Sequence, residues 1–307
     1  GKAQQVVNEA SNLRAPGLRS VLRAAIGQQA QVESEEDREL GALVAERDAA
    51  AEFALAAAYS EERLRPAAVE VLEQLRSTLD EDRRLSQFLL INYANLPDQE
   101  EALQKARALA ESHPEDADIW LGLYHVLNAR DMEEGRREAI AKAAELAPEN
   151  PAIWLTYGQY LERSGDMEEA RDAYERVLEL NPSNPIANNN LAYMMLQRGE
   201  NLDDALAKAE KAVEVVGRRD PNLLHTLGVA QMRADQLEES AMSIRLALAL
   251  RPGDPTFLYD YGRVLFEMGE EEAARQHILR ALQFSDLMQL EFPQREEALS
   301  LLRSTEV

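Results

Sequence analysis

An all-α fold of stacked antiparallel helix pairs is the class this sequence predicts, and three observations carry the prediction. The first is punctuation. Asn or Asp precedes Pro at Asn150-Pro151, Asn184-Pro185, Asp220-Pro221 and Asp254-Pro255, and the prolines follow one another at intervals of 34, 36 and 34 residues. Asn and Asp are favoured helix N-caps, and proline at the first helical position forfeits no intrahelical hydrogen bond, so each pair marks a helix start. A regular period of this length is the signature of repeated supersecondary units. The second is the register of side-chain sizes within one period. Trp154, Tyr157, Leu161 and Tyr174 are bulky where Gly158 and Ala170 are small. Two helices that cross closely need small residues at the crossing, because enlarging a packed site costs about 1–3 kcal/mol. Gly158 and Ala170 are therefore expected to face each other. The third is composition: 45% hydrophobic, only 6% aromatic and rich in Leu, Ala, Glu and Arg, which favours helix over sheet.

The elements follow in chain order. Residues 1–48 read as N-terminal helices of degenerate repeats: Leu18, Val21, Leu22, Ala25 and Ile26 form one helical stripe, and Leu40, Leu43 and Val44 a second, within a unit spanning 15–48. Residues 3–14 read as a lone helix of a severed repeat, since Ala15-Pro16-Gly17 is similar to the ends of later units. Gly1 has no methionine before it, and the chain is read as starting downstream of its native terminus. Seven repeats then fill 49–288. Repeat 49–82 keeps Leu55, Ala56, Tyr59, Ala68, Leu72 and Leu75, and 83–116 keeps Leu89, Tyr93, Ala102, Ala106 and Pro114, with Leu90 where a small residue is expected. Repeat 117–150 keeps Trp120, Leu123, Leu127, Ile140, Ala143 and Pro148, with Tyr124 at the small position. In 151–184, Gly165 supplies a left-handed stop, and Asp166 with Glu169 is expected to form a capping box. Repeat 185–220 keeps Leu191, Ala192, Ala209 and Ala212; 221–254 keeps Leu224, Leu227, Gly228, Ile244, Ala247 and Pro252. Repeat 255–288 keeps Leu258, Tyr261, Gly262, Leu265, Gly269, Ala274, Ile278 and Ala281. Residues 289–307 hold a short amphipathic helix, with Ala298, Leu299, Leu301 and Leu302 available to cover the last repeat, as solenoids require.

Chemistry is sparse. Cysteine is absent, which removes disulfides, thiol nucleophiles and cysteine metal sites together. His113, His125, His225 and His277 lack metal-ligand spacing, and no phosphate loop or nucleophile elbow occurs. Neither a cofactor nor a metal is expected, and the chain is read as non-enzymatic. Acidic pairs such as Glu133-Glu134 and Glu168-Glu169 sit at helix starts, where the helix dipole accounts for them. Trp120 and Trp154 read as core residues by register. A net charge of −23 over 307 residues opposes phosphate-driven nucleic-acid binding and leaves a basic protein as one candidate partner. No run approaches the length of a membrane span, so no direct insertion by this segment is expected.

With Pro151 as position 1, Trp154, Tyr157, Gly158, Leu161, Ala170, Tyr174 and Pro182 fall at positions 4, 7, 8, 11, 20, 24 and 32. The pattern resembles the tetratricopeptide repeat. That resemblance implies a right-handed superhelical solenoid whose first helices line a concave groove through positions 2, 5, 6, 9, 12 and 13. Helical periodicity independently puts 2, 5, 9 and 12 on one stripe. The groove residues so read are His125, Asn128, Gln159, Asn189, Asn190, Tyr193, His225, Tyr259, Asp260 and Arg263, with a more apolar floor of Phe53, Gln87, Phe88 and Ile91 in the earlier repeats. Amides offer both donor and acceptor to a peptide backbone, and tyrosines supply flat contact area. The clamp by which some members grip acidic chaperone tails is not matched, since Asn190 is its sole counterpart here.

From Asn188 to the end, NNNLAYMMLQRGE and the tail FPQREEALSLL resemble bacterial exported repeat lipoproteins of the exosortase and exopolysaccharide-associated type. The resemblance implies a scaffold in an envelope assembly, secretion or polysaccharide-export complex, periplasmic or outer-membrane-anchored, with the cytoplasm left open. Two alternatives stand beside it: a self-assembling homo-oligomer, and the substrate-binding or regulatory arm of an enzyme whose catalytic domain lies outside this sequence.

Overall fold

The computed structural model describes Glu52, Ala56, Ser60 and residues 65–76, 83–290 and 292–304. The expectations for residues 1–48, for Phe53 and most of the first helix of repeat 49–82, and for residues 305–307 lie outside the described residues. Among the described residues there are fourteen helices and no strand. The chain divides into two compact units, Gly1–Pro97 and Asp98–Val307.

The first unit contains α1 (Arg65–Arg76) and α2 (Arg83–Tyr93), which pack together. Their core is Ala68, Leu72, Leu75, Leu85, Leu89 and Tyr93, and Leu90, at the position expected to be small, is buried with them. Two polar groups tie this unit internally: the Ser60 hydroxyl donates to Asn92 Oδ1 at 3.0 Å, and the Tyr93 hydroxyl to Glu73 Oε1 at 2.9 Å.

The second unit opens with α3 (Gln99–Ser112) and continues through α4 (Ala117–Ala129) and α5 (Arg136–Leu146), then α6 (Pro151–Ser164) and α7 (Met167–Leu180). It goes on with α8 (Pro185–Arg198) and α9 (Leu202–Val216), α10 (Pro221–Arg233) and α11 (Leu237–Leu250), α12 (Pro255–Glu267) and α13 (Glu271–Met288), and ends with α14 (Arg295–Ser304). The most extensive packing is within the pairs α4/α5, α6/α7, α8/α9, α10/α11 and α12/α13, and each pair packs on the next.

Sequence explains how each pair begins and turns. α6, α8, α10 and α12 start on the four prolines, and the preceding Asn150, Asn184, Asp220 and Asp254 accept backbone N–H bonds at 2.8–3.2 Å, satisfying donors the helix leaves free. The turn between the helices has a left-handed residue at position 15 of every repeat from 117 onward, Asp131, Gly165, Gly199, Asp235 and Gly269, and two of the turns add a second, Gly135 and Asn201. Gly165, at φ +85°, adopts this conformation without penalty; Asp131 and Asp235 are among the few residue types that tolerate it.

One local expectation is refined and two are corrected. A Cβ placed on Gly158 would lie 2.7 Å from Cε1 of Tyr174, so the side chain nearest the glycine is the Tyr174 ring, at position 24. Gly228 and Gly262 meet Ile244 and Ile278 at the same offset, which is set by how the two helices are staggered. Asp166 makes no capping bond; its carboxylate and that of Glu169 are taken by Arg137 of the preceding repeat, at 2.5 and 2.6 Å. Arg171 repeats the same step onto Glu200 at 2.8 Å. Trp120 and Trp154 are half-buried, not core. Their indole N–H groups donate to the Pro114 and Pro148 carbonyls of the preceding repeat, both at 3.0 Å, and Asn188 does the same to Pro182 at 3.1 Å. The position is a fastener between repeats.

At the far end Phe292, Ala298 and Leu302 pack against Leu258, Ile278, Ala281 and Leu282, so α14 and the segment before it cover the apolar face of the last pair.

Candidate functional site

Helices α4, α6, α8, α10 and α12 are the first members of five successive pairs, and α10 touches both α8 and α12 directly. The residues that sequence assigned to the groove lie on these helices. Seven of the ten form two polar clusters and an aromatic residue, Tyr193, while His125, Asn128 and Gln159 stand apart.

The first cluster is a relay anchored by a carboxylate. Glu162 of α6 accepts from the Tyr174 hydroxyl at 2.6 Å and from Asn190 Nδ2 at 3.3 Å, and Asn190 Nδ2 also donates to the Tyr174 oxygen at 2.9 Å. Asn189 Nδ2 donates to Asn190 Oδ1 at 3.2 Å. An ionised carboxylate only accepts, so Glu162 fixes the direction of every bond in the chain and leaves Asn189 with its carbonyl oxygen at the free end. That oxygen is buried and has no donor among the described residues. Burial, reinforced by the bond to Glu162, pushes the Tyr174 hydroxyl far above the ordinary phenol range and keeps it a donor. Beside the relay, Arg163 Nη2 donates to the Tyr124 hydroxyl at 3.0 Å, and Tyr124 meets Tyr160 edge to face with ring centroids 6.0 Å apart.

The second cluster joins α10 to α12. His225 Nε2 donates to Asp260 Oδ2 at 2.8 Å while its ring stacks on Phe257 at 4.5 Å; Arg263 Nη1 donates to Asp260 Oδ1 at 3.2 Å and its guanidinium lies 5.7 Å from the centre of the Tyr259 ring. Tyr259 in turn meets Phe292 edge to face.

Tyr193 projects from α8 and is 39% exposed. Its hydroxyl is raised above the ordinary range, first by desolvation and then by the carboxylates of Asp260 and Glu162, so it lies within the field of both clusters.

The ten predicted residues therefore part ways. Asn189 and Asn190 belong to the relay, and His225, Tyr259, Asp260 and Arg263 to the second cluster. His225, Tyr259 and Asp260 are 5–7% exposed and act as wall material, holding two repeats together. His125 sits at the surface against Tyr124, with ring centroids 5.4 Å apart, and desolvation lowers its pKa. Asn128 accepts from Arg136 at 3.4 Å and Gln159 is half-buried; with His125 they join neither cluster. In the first unit Ile91 is 55% exposed and Phe88 half-buried. Sequence reasoning passed over Glu162, Arg163 and the Tyr174 hydroxyl. Glu162 and Arg163 stand at positions 12 and 13, so the stripe already contained them, whereas nothing periodic reveals that a core tyrosine extends its hydroxyl to the wall.

Charge is divided between the helices. The five first helices carry four acidic and four basic side chains, whereas their partners α5, α7, α9, α11 and α13 carry sixteen acidic and ten basic. Among the described residues no group of three or more His, Cys, Asp or Glu is placed to hold a metal ion, and no helix is long and apolar enough to cross a membrane.

Residues 72–223 match the tetratricopeptide domain of cytochrome c-type biogenesis protein H, and residues 225–287 match a tetratricopeptide repeat family. The chain belongs to the tetratricopeptide repeat superfamily. Solved tetratricopeptide structures agree with this. The chain is similar to pilF of Pseudomonas aeruginosa, with a TM-score of 0.56 at 19% identity over 72% of this chain and 98% of that one. It is similar to PilW, a type IV pilus biogenesis factor, with a TM-score of 0.54 at 16% identity over 71% and 100%. YrrB, described as having an unusual peptide-binding site, gives 0.51 at 19% identity over 64% and 97%. At these identities the likeness is one of fold. No curated protein matches the chain. Tetratricopeptide domains bind protein partners or peptides, and this chain is accordingly a protein-interaction scaffold.

Proposed function

We propose that this scaffold is non-enzymatic and holds a peptide or helix of a partner protein along the wall formed by α4, α6, α8, α10 and α12, within a bacterial envelope assembly. One observation carries the reading: Tyr193 stands exposed between two fixed polar clusters, on helices with no net charge. An exposed tyrosine supplies contact area at low entropic cost, and amides held in one orientation supply directional bonds. Neutrality of these helices makes shape and hydrogen bonding, more than charge, the basis of recognition on this wall.

The match over residues 72–223 is to a domain named for cytochrome c-type biogenesis and takes in the first part of the stretch that resembles exported lipoproteins, while residues 225–287 match the general repeat. A biogenesis complex is therefore set ahead of secretion or polysaccharide export. A periplasmic or outer-membrane-anchored position goes with this reading.

The test is affinity capture from envelope extracts with wild-type chain, with an Asn190→Ala/Tyr193→Ala variant, and with Met242→Ala on the exposed side of α11 as control. The groove variant is expected to lose partners that the control keeps, with both retaining wild-type helicity. Identical capture by all three would overturn the proposal.

A further inference from the structure

Repeats 117–150 and 151–184 carry a tryptophan at the same position, Trp120 and Trp154, but the second helices they pair with differ in charge. α5 has three basic and two acidic side chains, whereas α7 has five acidic and two basic. Trp154 and Tyr157 line a cleft between α6 and α7, with ring centroids 6.1 Å apart and planes tilted by 43°. Positions 4 and 7 fall on the side of α6 away from the stripe that bears Gln159 and Glu162, so the cleft is separate from the wall described above. The bond from Trp154 Nε1 to the Pro148 carbonyl fixes the indole in place.

Along the α7 side of the cleft lie Glu169, Asp172, Glu175, Arg176 and Glu179, with Glu175 held by Arg171. Glu169 is engaged by Arg137, and Glu179 by Arg176, which also reaches Glu149 and the Pro148 carbonyl. These pairs flank Asp172 on either side along the helix. Asp172 itself is exposed and has no cationic partner among the described residues. An aromatic floor and an unpaired carboxylate, preset by neighbouring bonds, are the two features that attract an organic cation: a ring face draws positive charge by its quadrupole, and a carboxylate beside it adds Coulomb attraction.

We infer that this cleft binds a lysine or arginine side chain of a basic partner segment, its cation over the rings of Trp154 and Tyr157 and against the carboxylate of Asp172. Charge complementarity selects this occupant, since α7, which forms one side of the cleft, carries five acidic and two basic side chains while the first helices together are neutral. The scaffold then has two independent faces, a neutral inner wall and an acidic outer cleft.

The chain has two tryptophans, which provides a local reporter and an internal control. Trp120→Phe leaves Trp154 as sole fluorophore, and Trp154→Phe leaves Trp120. Each variant is titrated with an acetylated, amidated eight-residue peptide of alternating Arg and Ala, and with its Gln-Ala counterpart. The Arg-Ala peptide is expected to give a saturable change in Trp154 emission, none in Trp120, and a weaker response with the Gln-Ala peptide. Asp172→Asn, an exposed change whose folding is checked by helicity, weakens binding up to about fivefold, the range of an exposed ion pair. Tyr193→Ala leaves it unchanged, which separates this cleft from the inner wall. Equal midpoints at Trp120 and Trp154 would reveal general attraction to an acidic chain and overturn the inference. So would equal binding of the Gln-Ala peptide, or indifference to Asp172→Asn.

Discussion

Replacing Gly158 with Ala adds one methyl group at the closest approach of α6 and α7. The new carbon would sit 2.7 Å from Cε1 and 2.8 Å from Cδ1 of Tyr174, against an ordinary separation of about 3.5–4.0 Å. The ring must retreat by roughly 1 Å, and it is poorly placed to do so. Tyr174 is 0% exposed, and its hydroxyl is held by Glu162 at 2.6 Å and Asn190 at 2.9 Å. Overpacking of this kind costs about 1–3 kcal/mol. Alanine recovers about 1 kcal/mol by its better helix propensity. The net expectation is destabilisation of about 0–2 kcal/mol, read by urea unfolding followed at the helical dichroism band. In a Tyr174→Leu background the obstruction is gone, so the same substitution becomes neutral or stabilising by up to about 1 kcal/mol. A coupling near zero, with Gly158→Ala stabilising both backgrounds alike, would refute the assignment of Tyr174 as the residue that needs the glycine.

Other predictions follow from the same contacts. Asn184→Ala removes two backbone acceptor bonds at the start of α8 and should cost about 1 kcal/mol in the same unfolding assay, whereas Asn184→Asp should be nearly silent. His225→Ala deprives the buried Asp260 of its shortest hydrogen bond and should cost about 1–3 kcal/mol, partly restored by Asp260→Asn, which removes the charge. Desolvation lowers the pKa of His125, so the unfolded chain takes the proton first as pH falls. The His125 contribution is therefore neutral above the ordinary histidine range and turns destabilising as pH drops through about 6.5 and on through the lowered folded value. His125→Gln should flatten thermal stability between neutral and mildly acidic pH.

The helix starts were legible in sequence because capping by Asn or Asp before Pro is a local matter, settled within four residues. The side chain that crowds Gly158 most was not, because the stagger of two helices decides how near position 24 comes to position 8. The Asp166-Glu169 capping box failed for a related reason: Arg137, one repeat earlier, competes for both carboxylates, and such a rival is invisible in a local motif. Helical periodicity placed His225, and the repeat resemblance Asp260, on the groove face, but neither gave a sign that they would bond across 35 residues and become buried. Asn189, Asn190 and Tyr193 were found by residue type on that stripe. The relay that orients the amides depends on the Tyr174 hydroxyl, which sequence assigned to the core with its ring.

Photo-crosslinking tests the inner-wall proposal most directly. The photoreactive residue p-benzoylphenylalanine is introduced at Tyr193 or, on the exposed side of α11, at Met242, and each protein is irradiated in its native host. Partner adducts are expected from position 193 and absent from position 242. Adducts from 242 with none from 193 would contradict the proposal that partners are held along the inner wall.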